Sequence, residues 1–152
     1  MLPRLITKPE QSGKTFIMLQ QMIDQINKET PDGSKNINFV ICDNNLLLVL
    51  QTFKRVEDIP CLESYVEFSC SKSAGCRSFE TVVDNIINHG VRNVLSCSNH
   101  IRLKDINAII SSIHLQGKGG DYLFNIWFDE ADKWLRGIKS HITPLTEEYD
   151  NV

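Results

Sequence analysis

Apolar stretches of strand length alternate with amphipathic stretches of helix length from one end of the chain to the other. The pattern predicts strands near Pro3–Thr7, Ile37–Cys42, Tyr65–Cys70, Asn93–Cys97 and Tyr122–Asp129. It predicts helices near Lys14–Glu29, Asn45–Val56, Ser78–Asn88, Leu103–Ile113 and Glu130–Ile138. Alternating strands and helices imply βαβ units, a parallel sheet and an α/β fold. Turn chemistry supports the divisions: Pro31-Asp32-Gly33-Ser34 closes the first helix, and Lys118-Gly119-Gly120-Asp121 leads into the last strand. The periodicity fades and the chain turns acidic over Ile142–Val152, so residues 1–141 read as one domain and 142–152 as a frayed or truncated tail.

Composition narrows the classes. At 152 residues and 41% hydrophobic, the chain suits one core-forming domain. A net charge of -3 argues against wholesale coating of nucleic acid or anionic membrane, so any nucleic-acid contact needs a local basic cluster. No apolar run approaches the ~20 residues of a membrane span, and the N-terminus lacks a signal-peptide core, so a soluble, intracellular protein is expected. Cys42, Cys61, Cys70, Cys76 and Cys97 include no C-x-x-C pair, which disfavours a disulfide framework or a zinc site. Cys42, Cys70 and Cys97 read as small strand residues. His89, His100, His114 and His141 show no i, i+4 metal spacing.

Two stretches carry chemistry. Lys8-Pro9-Glu10-Gln11-Ser12-Gly13-Lys14-Thr15 matches G-x-x-x-x-G-K-[ST] except at Lys8. A phosphate cradle needs successive backbone N–H groups in a concavity ahead of a helix, and Gln11, Ser12, Gly13, Lys14 and Thr15 are the residues expected to form it. The first glycine of the pattern mainly eases the turn, so Lys8 changes loop shape more than phosphate contact. Pro9 removes one N–H and Glu10 brings a carboxylate near the anion, both weakening affinity. The alternative is a chance Gly-Lys-Thr at a helix start. The second stretch is "YLFNIWFDEADKW", an apolar strand ending in Asp129 and Glu130. In a parallel sheet both stretches fall at the carboxyl edge. Thr15 and Asp129 would hold Mg²⁺ against the β- and γ-phosphates that Lys14 neutralises, with Glu130 placed to orient or deprotonate a water. An acidic helix start explains Asp129-Glu130 equally well.

Asp129-Glu130-Ala131-Asp132 spells DEAD, and with the Lys8–Thr15 loop the chain resembles the first RecA-like lobe of a superfamily 2 helicase. The loop corresponds to motif I and DEAD to motif II. "NNLLLVLQ", Asn44 to Gln51, resembles motif Ia, with Asn44-Asn45 in place of Pro-Thr, and "NHIRLKD", Asn99 to Asp105, resembles motif Ib without its Pro-Gly. The Lys-Pro-x-Gln form of the loop is most similar to helicase-type ATPases of large DNA viruses, which would place the protein in host cytoplasm, nucleus or virion.

The resemblance implies a P-loop NTPase three-layer sandwich with a mainly parallel sheet of about five strands. Its implied ligands are ATP, Mg²⁺ and a nucleic-acid strand gripped by its phosphates. Asn44, Asn45, Thr52, Arg55, Asn99 and Arg102 have suitable chemistry for that strand. Asn44-Asn45 also suits a helix cap, and Arg55 or Arg102 a solvated charge. Trp127 and Trp134 read as core residues ahead of stacking platforms. Only seven residues precede Lys8, leaving no upstream adenine-reading motif, and no Ser-Ala-Thr follows DEAD. The arginine completing such a site, worth ~10³–10⁵ in rate, is expected from a second lobe or partner chain, so the isolated chain should be weak or inactive. The alternatives are a non-catalytic, nucleotide-dependent binding module and a P-loop small-molecule kinase, the latter disfavoured by the lack of an Arg-rich lid.

Overall fold

The run Lys-Asn-Ile-Asn-Phe-Val-Ile-Cys is apolar enough to be covered on both sides, and it forms the middle of the sheet. In the computed structural model, which describes residues 13–26, 30, 32–42, 51, 54, 65–68, 78–129 and 131–152, this strand is β1, Lys35–Cys42. β2 is Tyr65–Phe68, β3 is Asn93–Cys97 and β4 is Tyr122–Phe128. All pair in parallel in the order β2-β3-β1-β4, so β1 has a neighbour on each side. Every residue of β1 after Lys35 is buried, as a parallel strand covered on both faces requires. The α/β class and parallel sheet match the alternation in the sequence. The fifth strand, expected at Pro3–Thr7, lies outside the described residues. Of the helix expected at Asn45–Val56, only Gln51 and Lys54 are described, both helical.

Helices cover both faces. α2, Phe79–Asn88, joins β2 to β3, and α3, His100–Leu115, joins β3 to β4. Their apolar residues recur at helical spacing, so Val82, Val83 and Ile86 of α2 and Leu103, Ile106, Ile109, Ile110 and Ile113 of α3 form one stripe each. Both stripes pack on Ile37, Phe39, Ile41, Val94 and Phe124. α1, Lys14–Ile26, lies on the other face, where Met18, Leu19 and Met22 meet Val40, Cys42, Leu95 and Cys97, with Trp127 alongside.

Two expectations are corrected at the C-terminal end. The single helix expected at Glu130–Ile138 is a broken helical run: a 3₁₀ turn at Ala131–Trp134, one α-turn (α4, Leu135–Gly137), a π-helical segment at Ile138–Ile142, then α5, Thr143–Glu148. At Gly137, between the α-turn and the π-helical segment, the run passes close to α3: a Cβ there would stand 2.7 Å from the Leu103 side chain. The tail expected to fray over 142–152 is packed. Ile142 and Leu145 are buried, and the Tyr149 ring stacks on His114 at 3.9 Å. Asn151 donates through Nδ2 to the Gly119 and Tyr122 carbonyls at 2.7 and 2.8 Å, and its own carbonyl accepts the Phe124 N–H at 2.8 Å. One asparagine therefore satisfies backbone groups at the start of β4, a role invisible to periodicity. Among the described residues no helix is long and apolar enough to cross a membrane.

Candidate functional site

The direction of α1 decides where its first turn lies. Asn36, near the start of β1, donates through Nδ2 to the Gln25 carbonyl in the last turn of α1 at 3.2 Å. From Gln25 back to Lys14 is 25 − 14 = 11 residues, about 16 Å of helix. From Asn36 to Cys42 is 42 − 36 = 6 residues, about 20 Å of strand. With Met18 and Leu19 buried against Val40 and Cys42, the helix runs antiparallel to β1 and begins near the carboxyl edge of the sheet.

Gly13 stands at that beginning. Its φ of +78° is left-handed, a conformation costly for other residues, while nothing among the described residues lies within 4 Å of where a Cβ would be, so the backbone angle is what favours glycine. The first helical hydrogen bond runs from the Ile17 N–H to the Gly13 carbonyl at 3.1 Å. The amides of Lys14, Thr15 and Phe16 consequently have no acceptor within the helix, and glycine has no side chain to cap them. A left-handed residue followed by a helical one also turns successive N–H groups toward a common concavity. α2 and α3 begin differently. The Ser78 hydroxyl accepts the Thr81 N–H at 3.3 Å, and Asn99 Oδ1 accepts the Arg102 N–H at 2.9 Å.

Asp129 reaches the same edge. Its N–H donates to the Ile41 carbonyl at 2.9 Å, extending the β1–β4 ladder one step beyond the strand. Trp127 lies on the α1 face, and alternation returns Asp129 to that face two residues later. The register that pairs Ile41 with Phe128 and Cys42 with Cys97 makes the last row on this face Asp129, Cys42 and Cys97. Asp129 is half-buried and both cysteines are buried, in keeping with their reading as small strand residues.

Of the other expected site residues, Gln11, Ser12 and Glu130 lie outside the described residues, as do Asn44, Asn45, Thr52 and Arg55. The backbones of Lys14 and Thr15 form the first turn of α1. Asn99 and Arg102 take structural parts. Asn99 caps α3, and the Arg102 guanidinium is buried with 9% of its side chain exposed, 3.2 Å from Asp105. Burial raises the Asp105 carboxyl above its ordinary range, opposed by Arg102. The reading of Arg102 as a solvated charge is also corrected: its position in the first turn of α3 turns it inward, toward Asp105 three residues on.

The sequence reading overlooked a row of asparagines on the α1 face. Asn38 is fully buried, and its Oδ1 accepts the Trp127 indole N–H at 3.0 Å while its Nδ2 donates to Asn93 Oδ1 at 3.1 Å. Asn125 Nδ2 donates to Asn36 Oδ1 at 3.0 Å. The available signal was Asn36 and Asn38 at alternate positions inside an apolar run. A second overlooked pair is His100 and His141, whose Nδ1 and Nε2 lie 2.9 Å apart. At the opposite, amino edge, a cleft of about 580 Å³ lies among Ser34, His114, Tyr122 and Tyr149, away from Gly13 and Asp129. Comparison with protein-family models, curated proteins and solved structures finds no match to this chain.

Proposed function

We propose that the chain is the ATP-binding lobe of a superfamily 2-type nucleic-acid helicase or translocase. One observation carries the reading: the glycine-started helix α1 and Asp129 meet at the same edge and on the same face of a parallel sheet. Helices on both faces of the sheet support a RecA-like sandwich, which a fifth strand at Pro3–Thr7 would complete.

On this reading the amides at the start of α1 bind phosphate oxygens along the helix dipole, and Lys14 adds a full positive charge. Asp129 and Thr15, one carboxylate and one hydroxyl, are the residues that would hold Mg²⁺, a hard cation that suits oxygen donors. Bound there, the ion would neutralise phosphate charge. Glu130 orients the attacking water and accepts its proton. Asn44, Asn45, Thr52 and Arg55 remain the candidates for gripping a nucleic-acid strand, whereas Asn99 and Arg102 are occupied within the fold.

Calorimetry tests the proposal. Mg-ATP should bind weakly to the intact chain, and folded Lys14→Ala should lose most of that affinity. Unchanged affinity in Lys14→Ala would sink it. Tight binding without turnover, with or without nucleic acid, identifies a binding module instead of a motor lobe.

A further inference from the structure

The protein carries 19 acidic residues against 16 lysines and arginines, yet residues 133–146 include Lys133, Arg136, Lys139 and His141 and no acid. The fold keeps the middle of that run against the first half of α3. His141 Nε2 meets Nδ1 of His100, in the first turn of α3, at 2.9 Å. Gly137 approaches Leu103, and the Asn107 amide donates to the His141 carbonyl at 3.2 Å. Ile142 and Leu145 are buried in the layer that α3 also packs into, while Arg136 and Lys139 are exposed.

α3 brings two more basic groups to this surface. His100 and Lys104 stand one helical turn apart, and both are exposed. Their charge is felt at His141, whose imidazole is held below its ordinary range by burial first and then by His100 and Lys104. Asp105, the acid on this part of α3, is occupied by Arg102 at 3.2 Å. Lys104, Arg136 and Lys139 enter no ion pair among the described residues. Two elements therefore gather basic groups on one surface of a protein that is acidic overall, and the resulting local field favours an anion.

That anion differs from the nucleotide. The surface lies on the α2 and α3 side of the sheet, whereas Gly13 and Asp129 stand on the α1 side. Its cations occupy separate positions on two elements, which suits a chain of repeated phosphates better than one phosphate group. We infer that His100, Lys104, Arg136, Lys139 and His141 form a docking surface for the phosphate backbone of a nucleic-acid strand. The inference rests on the nucleic-acid part of the proposed function and gives it the local basic cluster that a chain of net charge -3 requires. Contacts to phosphate carry no base preference, so binding is independent of sequence.

Fluorescence anisotropy tests it, with labelled oligothymidine and oligouridine strands titrated by the whole chain over a range of salt. Each cation that displaces counterions from a single strand adds about 0.7 to the slope of log affinity against log salt. The triple variant Lys104→Gln, Arg136→Gln, Lys139→Gln should lower that slope by about 2 and weaken binding about tenfold or more at low salt. Arg136→Lys keeps the charge and should keep the slope. Lys35→Gln with Lys118→Gln removes two exposed cations at the amino edge and should leave slope and affinity unchanged. All these side chains are exposed, so unfolding temperature and Mg-ATP affinity should stay those of the unsubstituted chain. Strand binding that survives the triple variant with its salt slope intact overturns the inference and leaves the functional reading standing. An equal loss in the Lys35 and Lys118 variant would mean diffuse attraction and overturns it as well. Binding of neither strand by the unsubstituted chain overturns the surface, and Mg-ATP calorimetry then decides separately whether the nucleotide site stands. Capture by phosphatidylserine vesicles without binding of either strand would assign these cations to a membrane surface, which also overturns the inference.

Discussion

Beneath α2 and α3, the sheet presents Ile37, Phe39, Ile41, Val94 and Phe124 to a layer of isoleucine, valine and leucine. Beneath α1 the same strands present Asn36, Asn38, Asn93 and Asn125, followed by Val40, Leu95 and Trp127 toward the carboxyl edge. The first face is held by contact area, which has no direction and tolerates small shifts. The second adds hydrogen bonds between side chains on three strands and from β1 to the Gln25 carbonyl of α1, each satisfied in one register only. The candidate site stands on this second face. The proposed function needs the turn at Gly13 and the Asp129 carboxylate at a fixed separation, and directional bonds supply that where an apolar layer would not. The helix starts differ in the same sense, since α2 and α3 are capped by their own Ser78 and Asn99, whereas α1 starts at a glycine.

The largest expected effect belongs to the apolar face. Phe39 has no exposed surface and lies 6.4 Å from Phe124, centroid to centroid. Phe39→Ala should cost about 3–5 kcal/mol in urea unfolding through lost transfer energy and a cavity. A much smaller cost would mean that this layer collapses around the gap and is no denser than the other.

Next comes the asparagine row. Asn93→Leu should cost about 1–3 kcal/mol, because the buried Asn38 amide loses its acceptor where water cannot replace it. An unchanged unfolding curve would show that the row carries no directional energy, and the contrast between the faces would fail at its main point.

How far these differences were readable in the sequence varies with the distance over which the partners act. β3 runs from Asn93 to Cys97 as expected, since an apolar run between Gly90 and Ser98 is local information. Gly13 and Asp129 were both legible as motif residues, and their meeting at one edge follows from parallel strands alone. The asparagine row was not legible, because its bonds join residues 55 and 89 positions apart. Asn99 misled for the opposite reason: its partner is the Arg102 amide three residues on, and an exposed-looking polar pair proved to be a cap and a buried ion pair. The close approach of Gly137 to Leu103, where a Cβ would stand 2.7 Å from that side chain, is likewise a contact no periodicity records.

Removing a cap sharpens the comparison of helix starts. Asn99→Ala should destabilise the protein by about 1 kcal/mol, since the Arg102 amide loses its acceptor at the first turn of α3. Thermal unfolding measures it. A negligible effect would make the start of α3 equivalent to that of α1, where Gly13 itself has no side chain to remove.

The smallest effect concerns a polar contact at the rim of the apolar face, where His141 Nε2 meets His100 Nδ1 at 2.9 Å. Burial pushes the His141 imidazole below its ordinary 6.5, helped by the charges of His100 and Lys104. Because the folded value is the lower one, the unfolded chain takes up the proton first as pH falls. Above about pH 6.5 both states are neutral and the pair adds no pH dependence. Below that, folding must hold His141 unprotonated or place a second cation beside His100 and Lys104, so stability declines until the folded group titrates as well. His141→Gln keeps a polar group and removes the titration. Its unfolding temperature should therefore fall less steeply than that of the unsubstituted chain between neutral pH and about pH 5. Parallel curves for the two proteins would mean that the rim contact contributes nothing selective, leaving the asparagines beneath α1 as the directional element of the sheet.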